Sequence, residues 1–474
     1  MPIKKIKRTE NALKVIDINN KGMGVAKSEQ GAVYFIKNVV PGDIVDVRVY
    51  KKKGGFFEAE PINWIEKSAD RTDPPCEHFG VCGGCKWQHL SYEAQLHFKE
   101  KGVLNNLLHI GKVSTPDVLP ILGVENPYFY RNKMEFSFSN KRWLTSEEIA
   151  EENKIERNGL GFHKPLMWDK IVDINKCHLQ AEPSNQIRNA VRRFAIEKEM
   201  PFFDLRAQKG FLRTLMIRNT LEGEVMVLIQ FFEELKEKIE LLLSFIKDHF
   251  PQVTSLLYCI NSKGNDSLYD QEIRCFSGNE YITENLGGLQ FRITAKSFYQ
   301  TNPKQAGELY TIAKDFAQLK LQDTVYDLYT GTGTIALTLA HECKKIIGIE
   351  SVPDAIKAAN ENAKLNGIDN AFFEVGDMKT CFNDIFIKKY GKADVVITDP
   401  PRDGMHKDVV AKLLKLAPKR IVYISCNSAS QARDLELMRK NYKVVKSQAV
   451  DMFPQTHHVE NVVLLHSKAS DELT

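Results

Sequence analysis

The first 66 residues carry short apolar runs rich in valine, isoleucine and aromatic residues. The runs LKVIDIN, AVYFIKNV and DIVDVRVY are separated by NKGMGVAK, VPGD and KKKGGF, which contain the glycine and proline typical of turns. Several short strands joined by tight turns predict a small β-barrel of the oligonucleotide-binding kind. We therefore expect an N-terminal barrel over residues 1–66.

From about residue 291 the pattern becomes a regular alternation of apolar strands and amphipathic helices. The segments QDTVYDLYTGTGTIALTLA and KKIIGIESVPDAIKAANENAKLNG each predict a strand followed by a helix, and ADVVITDPP, RIVYISC and NVVLLHS predict further strands. This alternation is typical of a mostly parallel, doubly wound sheet of the Rossmann-like α/β class. The stretch before it mixes strands with amphipathic helices and predicts an α+β domain. Helical apolar spacing also predicts a helix over residues 90–110.

Length and composition narrow the class of protein. At 474 residues the chain is too long for one hydrophobic core, so we expect several domains. No apolar run approaches the roughly 18 residues of a membrane helix, and no apolar segment follows the basic N-terminus as it would in a secretory signal. We therefore expect a cytoplasmic protein that does not bind membranes, and we expect it to be a monomer.

The net charge of +4 is concentrated in the predicted barrel. Residues 1–66 contain 12 lysines and arginines against 8 acidic residues, so the rest of the chain balances to zero. A local basic excess can attract the phosphate backbone of a nucleic acid. Solvated surface lysines are an equally ordinary explanation for so small an excess.

A glycine turn follows the first strand of the predicted α/β sheet. In DLYTGTGTIAL, Gly331 and Gly333 allow the backbone to approach a ligand, which the amides of the next helix then face. A lone G-x-G is weak evidence, since ordinary strand–helix turns also contain it. Glu350 ends the next predicted strand, where an acid can bind ribose hydroxyls, and Asp377 ends the third, where adenine would lie. The pattern predicts a bound adenosyl group, with an unmodified dinucleotide as the alternative.

Two later strand ends carry reactive side chains. DVVITDPPRDGMH ends a strand in Asp399, and the two prolines stiffen the loop that follows. Arg402 stands where amino-group methyltransferases have an aromatic ring, which argues against an exocyclic amine as the target. VYISCNSAS ends a strand in Cys426, where a thiolate could reach a substrate, although many isolated cysteines merely pack in a core.

A thiolate beside a methyl donor suits methylation of carbon 5 of uracil. Carbon 5 is a poor nucleophile, but addition of a thiolate to carbon 6 produces an enolate whose carbon 5 can attack a methyl sulfonium. A base must then remove the proton from carbon 5 so that elimination releases the cysteine. Glu460 in DMFPQTHHVENVVLL, with His457 and His458 beside it, is the candidate base. The alternative is that Glu460 is an ordinary surface carboxylate.

Nine cysteines in a long chain without a secretory signal indicate metal-bound or catalytic thiols rather than a disulfide framework. The segment PPCEHFGVCGGCKWQHL places Cys76, Cys82 and Cys85 at a C-x5-C-x2-C spacing. Thiolates at this spacing can bind an iron–sulfur cluster, whereas four cysteines, or a set that includes His78 or His89, could bind zinc. Spacing alone does not decide between the two.

These motifs resemble those of the RNA 5-methyluridine methyltransferases of the TrmA/RumA family over essentially the whole chain. SFYQTNP, DLYTGTGTIAL, SCNSASQARDL and DMFPQTHHVE resemble the family motifs SFxQxN, D-L-x-x-G-x-G, SCNPxTxxRDL and DMFPxTxHVE. The chain departs from the family at Ser428, where a proline is usual, and at Thr334, where some members have asparagine. Neither change removes a chemical group that the reaction needs.

The resemblance implies a role for each of these residues. Cys426 would be the nucleophile and Glu460 the base. Six residues would contact S-adenosyl-L-methionine: Gln300, Tyr329, Thr334, Glu350, Asp377 and Asp399. The family's distant fourth cysteine matches Cys177, and the resemblance favours a [4Fe-4S] cluster over zinc. The cluster would be held by Cys76, Cys82, Cys85 and Cys177.

The resemblance also implies a domain plan. Residues 1–66 would form a TRAM domain, an RNA-binding barrel. A central α+β domain with the cysteine cluster would comprise residues 67–94 and 126–290. The methyltransferase domain would comprise residues 95–125 and 291–474, because in this family the first of these segments packs back onto the second.

The implied substrate is a uridine in structured RNA, which must leave its stack to reach Cys426. The barrel could bind phosphates through Lys51–Lys53 and stack a base on Phe56 or Phe57. A TRAM domain together with the cluster favours 23S rRNA over the tRNA T-loop.

Two other functions fit parts of the pattern. A non-catalytic RNA-binding or ribosome-assembly protein with this fold would have lost the thiol, the base or the donor pocket, yet the sequence retains all three. A methyltransferase that acts on free nucleotides or small molecules would have no use for the barrel. We therefore expect an enzyme, an RNA (uracil-5-)-methyltransferase.

Overall fold

The computed structural model describes residues 8–114, 117–150 and 155–471. The strands form a closed five-stranded barrel, a seven-stranded sheet, a two-stranded hairpin and an eight-stranded sheet. None of the helices within these ranges has the length and apolar character needed to cross a bilayer.

Five strands close the N-terminal barrel. They are β1 (Arg8–Ile18), β2 (Gly24–Lys27), β3 (Val33–Ile36), β4 (Ile44–Lys53) and β5 (Phe56–Glu66). They pair in the order β1-β2-β3-β5-β4, and β1 closes the ring by pairing with β4. Val45, Val47 and Val49 alternate with more exposed residues along β4 and form the barrel core with Tyr34 and Ala59, because successive strand side chains point to opposite faces. The predicted barrel is confirmed over residues 8–66, and the first seven residues of the predicted range lie outside the described part of the chain.

One helix and one strand lie between the barrel and the central sheet in the sequence. They are α1 (Tyr92–His109) and β6 (Asp117–Leu122). Ser91 caps the start of the helix, since its Oγ accepts a hydrogen bond from the Ala94 amide at 3.3 Å. The helix predicted over residues 90–110 is confirmed.

The central sheet has seven strands and a layer of helices. The strands are β7 (Lys133–Ser139), β8 (Gly159–Lys164), β9 (Met167–Asp173), β10 (Leu212–Asn219), β11 (Val225–Phe231), β12 (Val253–Ile260) and β13 (Arg274–Gly278). The helices are α2 (Ser146–Ala150), α3 (Ser184–Glu197) and α4 (Lys236–His249). Helices α3 and α4 pack on one face, where the Phe194 and Phe245 rings stack with centroids 4.0 Å apart. The other face packs toward the hairpin of β14 (Tyr281–Leu286) and β15 (Leu289–Thr294).

The C-terminal part builds the large α/β sheet. Its strands are β16 (Thr324–Leu328), β17 (Lys345–Glu350), β18 (Ala371–Val375), β19 (Val395–Thr398), β20 (Arg420–Ser425), β21 (Tyr442–Val450) and β22 (Glu460–Ser467). With β6 they pair in the order β18-β17-β16-β19-β20-β22-β21-β6, and β22 alone runs against the others. The predicted mostly parallel, Rossmann-like sheet is confirmed.

Helices cover both faces of this sheet. They are α5 (Pro303–Ala317), α6 (Thr334–Leu339), α7 (Pro353–Leu365), α8 (Met378–Cys381), α9 (Asp384–Tyr390), α10 (Lys407–Leu416), α11 (Ser428–Met438) and α12 (Lys468–Asp471). Val325 and Val395 belong to the core on one face, and Tyr326 and Val396 to the core on the other. Burial on both sides explains why these strands are continuous apolar runs. Because the carboxyl ends of parallel strands meet at one edge, polar residues that follow the strands converge there.

Candidate functional site

The turn after β16 leaves open space against its backbone. Gly331 has a φ of 57°, and a Cβ at this position would meet nothing within 4 Å. Gly333 has a φ of 80°, but a Cβ there would lie 2.9 Å from the Phe373 ring and 3.0 Å from the Ala359 Cβ. Gly333 is therefore required by packing, whereas Gly331 leaves room for a ligand close to the main chain.

Glu350 is held rigidly at the end of β17. Its Oε1 accepts hydrogen bonds from the amides of Ser351 at 2.7 Å and Val352 at 3.0 Å, and its Oε2 accepts one from the Gly331 amide at 3.3 Å. A carboxylate oxygen can accept more than one hydrogen bond, so the group can also bind hydroxyls of a ligand. The predicted acid thus lies beside the predicted glycine turn.

Tyr329 and Asp377 line one cavity of about 660 Å³ on the same edge of the sheet. Burial raises the pKa of Tyr329 to about 12, so its phenol is neutral at physiological pH. Asp377 lies two residues beyond β18 and caps α8, where its Oδ1 accepts a hydrogen bond from the Lys379 amide at 2.8 Å. The sequence predicted Asp377 at the end of a strand. In the structure, one of its carboxylate oxygens already accepts a hydrogen bond from the helix that follows.

Gln300 and Thr334 lie on two different segments near the glycine turn that follows β16. Thr334 is the buried first residue of α6. Gln300 precedes α5, and its carbonyl accepts a hydrogen bond from the Asn132 side chain at 3.0 Å. The loop that carries Gln300 approaches the turn where the Thr332 hydroxyl lies 3.5 Å from the Phe298 carbonyl.

Asp399 follows β19 at the centre of the edge. Burial, together with the nearby Asp327, raises its pKa to about 7. Asp327 is fully buried in β16 and accepts a hydrogen bond from the Thr330 hydroxyl at 2.6 Å. Asp327 was not among the residues expected from the sequence, although an acid inside an apolar strand is a detectable signal.

The pairing of two strands brings Cys426 and Glu460 together. Strand β20 ends at Ser425 and β22 begins at Glu460, with Ser425 opposite Asn461. Because the pair is antiparallel, the next residue along β20 faces the residue before Asn461. Cys426 and Glu460 are therefore neighbours at the edge where Asp399 also lies.

Glu460 is a buried acid with an unsatisfied oxygen. Its residue is 4% exposed, and its Oε2 has no hydrogen-bond partner among the residues that the structure describes. Burial raises its pKa well above the usual value, Asp399 raises it further, and Arg402 opposes both effects. Glu460 therefore lies inside the site and is not the surface carboxylate of the alternative interpretation.

The Cys426 thiol is surrounded by charged groups. Burial, with the added effect of Glu460 and Asp399, raises its pKa to about 11, although Arg402 acts in the opposite direction. The carbonyl of Arg402 accepts hydrogen bonds from the side chains of Asn427 and Ser430, each at 2.9 Å, so the loop after Asp399 is fastened to the segment after Cys426. These hydrogen bonds keep the loop that carries Arg402 close to the Cys426 thiol.

The raised thiol pKa predicts how Cys426 reacts with iodoacetamide. Only the thiolate is alkylated, and below its pKa the thiolate fraction rises about tenfold per pH unit, so the rate should rise about 100-fold from pH 7 to pH 9. Glu460→Gln removes a negative neighbour, lowers the thiol pKa and should speed alkylation at pH 8. Mass spectrometry of the Cys426 peptide measures the rate, and a plateau below pH 8 in the wild type contradicts the assignment.

A buried network fixes the loop that precedes Glu460. Lys99 on α1 donates to Asp451 at 2.6 Å, and neither side chain is exposed. The Tyr92 hydroxyl donates to the other oxygen of Asp451 at 3.0 Å. Gln95 and Gln455 exchange two hydrogen bonds of 3.0 and 3.1 Å. Helix α1 thereby holds the 451–455 segment, and no pattern in the sequence indicated these pairs.

Ser428 stands where the family motif SCNPxTxxRDL has a proline. Its hydroxyl accepts a hydrogen bond from the Asn106 side chain at 2.8 Å. Helix α1 is therefore tied to the segment that follows Cys426 as well as to the loop before Glu460.

Four cysteines line one cavity of about 470 Å³. They are Cys76, Cys82, Cys85 and Cys177. Burial, with a smaller contribution from Cys177, raises the thiol pKa of Cys82 to about 11 and of Cys85 to about 12. Asn185 at the start of α3 holds Cys177 by accepting from its amide at 2.7 Å. The distant cysteine thus joins the three that are close in sequence.

The two histidines considered as zinc ligands differ in position. His78 lines the cysteine cavity, but its Nε2 accepts a hydrogen bond from the Asn175 amide at 3.0 Å. His89 does not line the cavity. In residues 8–114, 117–150 and 155–471 no three His, Cys, Asp or Glu side chains converge closely enough to hold a metal ion as they stand.

The chain is similar to several known proteins. The family described as tRNA (Uracil-5-)-methyltransferase matches residues 216–468, and the TRAM domain matches residues 6–62. A protein of Bacteroides thetaiotaomicron named as an uncharacterized RNA methyltransferase is 51% identical over 448 residues, which cover 94% of this chain and 98% of that protein. A Porphyromonas gingivalis protein of the same name is 50% identical over 461 residues, 96% of this chain and 99% of that one.

A solved structure resembles the whole chain. It is the Pyrococcus abyssi tRNA (uracil-54, C5)-methyltransferase in complex with S-adenosyl-L-homocysteine. The TM-score is 0.74 and the sequence identity is 28%, and the match covers 97% of this chain and 100% of that chain.

Proposed function

This chain belongs to the tRNA (uracil-5-)-methyltransferase family, and from that premise we propose that it methylates carbon 5 of a uridine in structured RNA through a covalent adduct between Cys426 and carbon 6. The observation that carries the mechanism is the β20–β22 register, which sets the Cys426 thiol beside the buried Glu460. A thiol, a buried acid and a donor crevice at one sheet edge are what this reaction requires.

Cys426 and Glu460 would act in sequence. The Cys426 thiolate, favoured by the nearby Arg402, adds to carbon 6 and converts the ring into an enolate. Bound S-adenosyl-L-methionine would supply the methyl group: its sulfur–methyl bond would break as the bond to carbon 5 forms, and S-adenosyl-L-homocysteine would leave. Glu460 then removes the proton from carbon 5, the bond between carbon 6 and sulfur breaks, and the ring regains its double bond. The raised pKa of Glu460 makes its carboxylate a stronger base than an exposed one.

We propose that S-adenosyl-L-methionine lies along the crevice from the glycine turn to the cavity beside Tyr329. The fixed carboxylate of Glu350 and the open space at Gly331 support this placement. The proposed donor contacts are Gln300, Tyr329, Thr334, Glu350, Asp377 and Asp399.

We propose the same three domains as the sequence suggested. The barrel comprises residues 1–66, the central α+β domain comprises residues 67–94 and 126–290, and the methyltransferase domain comprises residues 95–125 and 291–474. Strand β6 supports this division, because this strand pairs with β21 at the edge of the α/β sheet although it precedes the central sheet in the chain.

We propose 23S rRNA as the substrate, and the name of the Pyrococcus abyssi relative favours the tRNA T-loop as the second candidate. Mapping 5-methyluridine in ribosomal and transfer RNA of a strain that lacks this protein tests both. We expect at least one 23S rRNA position to lose its methyl group, with complementation restoring it. Loss confined to tRNA would select the second candidate, and no loss in either RNA would contradict the proposed activity.

We also propose that the four-cysteine cavity holds a [4Fe-4S] cluster, with zinc as the alternative. Four thiols around one cavity provide the ligand number that a cubane needs. The amides of Lys86 and Trp87, which follow Cys85, donate to the Gln455 carbonyl at 2.9 and 3.1 Å. A fixed Cys85 would therefore help to hold the loop that leads to Glu460.

Cys85→Ser tests this assignment. Protein purified without oxygen should contain about four iron and four sulfide per chain, and the variant should lose most of both together with its visible absorption. Cys275→Ser is the matched control, since this exposed cysteine does not line the cavity and its loss should leave the iron content unchanged. Stoichiometric zinc in the wild type contradicts the cluster and selects the alternative.

A further inference from the structure

A separate cavity of about 310 Å³ lies on the barrel side of Cys426, and we call it the barrel-side cavity. Its walls are the β1–β2 loop at residues 19–21, helix α1, and the loops that carry Cys426 and His457. Neither Glu460 nor Asp399 lines it. The cavity therefore begins at Cys426 and extends away from these two acids, toward the barrel.

The rim of the barrel-side cavity is positively charged. Lys21 and Arg402 line it, and the Lys86 ammonium donates to the Lys21 carbonyl at 3.3 Å. Among the residues that the structure describes, no carboxylate forms a salt bridge with any of these three side chains, whereas the neighbouring Lys99 is paired with Asp451. Cations without a carboxylate partner favour phosphate groups.

The inner wall combines aromatic rings with a buried polar atom. Trp87, Phe98 and His457 line the cavity. The His457 ring contacts Trp87 edge-on at a centroid distance of 6.5 Å and lies tilted by 38° against His458 at 4.1 Å. Within the described part of the chain His457 Nδ1 is buried and has no hydrogen-bond partner. Nucleobases stack on such rings, and base edges or ribose hydroxyls can pair with such an atom.

His457 is neutral, which matters for this kind of contact. Burial, together with His458 and the lysines and Arg402 around it, lowers its pKa to about 3. A neutral imidazole has one donor and one acceptor nitrogen, so Nδ1 can match either polarity in a base edge. His457 also occupies a position that the motif DMFPxTxHVE leaves variable, so the cavity has a feature particular to this chain.

We infer that the barrel-side cavity binds a second nucleotide of the RNA, adjacent to the target uridine, with its base against His457 and its phosphate near Lys21. This inference rests on the proposed function and specifies its substrate: the enzyme selects RNA in which two neighbouring nucleotides leave the stack. A volume of about 310 Å³ lies at the small end of ligand pockets, which range over roughly 300–1,000 Å³, and suits one nucleotide rather than a peptide segment.

Abasic scanning of the RNA tests the base contact without altering the protein fold. Stem-loop RNAs keep the mapped target uridine and carry an abasic residue at each flanking position in turn. One abasic position next to the target should weaken binding to the wild type about tenfold, because a stacked base is lost. The same position should have little effect on His457→Ala, since the two changes remove one contact. Equal weakening of both proteins, or no effect at any position, overturns the inference.

Lys21→Gln tests the phosphate contact. Lys21 is exposed on a loop, so the change should not disturb folding. The dependence of RNA affinity on salt should fall by about 0.7 in slope, as for one lost phosphate contact. Lys27→Gln is the matched control: this exposed lysine ends β2 in the same barrel, does not line the cavity and should leave the slope unchanged. Similar slopes for Lys21→Gln and wild type contradict the phosphate contact.

The two proposals fail in different ways. Covalent trapping of the same stem-loops by Glu460→Gln reports on the proposed reaction and not on the cavity. Trapping without any coupling between His457 and a flanking base disproves the second-nucleotide site and leaves the methyltransferase activity standing. No trapping and no 5-methyluridine would reject the proposed function itself.

Discussion

Cys426→Ala is expected to abolish RNA methylation, with a fall in rate of roughly 10⁴-fold or more. Without the thiol, carbon 6 has no nucleophile, and carbon 5 stays too electron-poor to take a methyl group. The fold should persist, because Cys426 follows the end of strand β20 and is only partly buried. Transfer of labelled methyl groups to RNA measures the loss.

Two further measurements separate a missing nucleophile from a damaged protein. Calorimetry should show near-normal binding of S-adenosyl-L-methionine, since Cys426 is not one of the proposed donor contacts. Denaturing gels should show no covalent complex between RNA and the variant. Cys275→Ala, which alters an exposed cysteine of β13, should methylate RNA normally. A Cys426→Ala protein that still methylates at a useful rate would remove the covalent mechanism.

Glu460→Gln is expected to stop the reaction after methyl transfer. The amide has nearly the shape of the carboxylate but cannot take the proton from carbon 5, so elimination should slow by roughly 10²–10⁴-fold. The substitution also removes a negative charge that raises the Cys426 pKa, and attack by the thiolate should therefore remain efficient. The expected product is a stable protein–RNA adduct that already carries the new methyl group.

Doubly labelled samples distinguish this outcome from simple inactivation. RNA and methyl label should migrate together with the protein on a denaturing gel, in amounts near one per chain. Adding Cys426→Ala to the same protein should eliminate the adduct. Glu284→Gln is a matched control, because Glu284 is another buried acid whose pKa burial raises to about 8, and it lies on β14 away from the thiol. Normal turnover by Glu460→Gln would assign the base to another residue.

Local sequence determined the elements and most of their chemistry. Strand and helix periodicities are set by backbone geometry, so the alternation from residue 291 onward and the barrel strands could be predicted. Parallel strands share an edge for their carboxyl ends, which is why Glu350, Asp399 and Cys426 could be assigned to one site from their positions after predicted strands. The short spacing of Cys76, Cys82 and Cys85 likewise follows from the chain itself.

Tertiary structure alone decided which distant residues meet. Glu460 reaches Cys426 because β22 inserts between β20 and β21 in antiparallel register. The buried pair of Lys99 and Asp451 joins positions 352 residues apart, and the barrel-side cavity exists only where the barrel, α1 and the sheet edge come together. Such contacts depend on how whole surfaces pack, and no local periodicity encodes that packing.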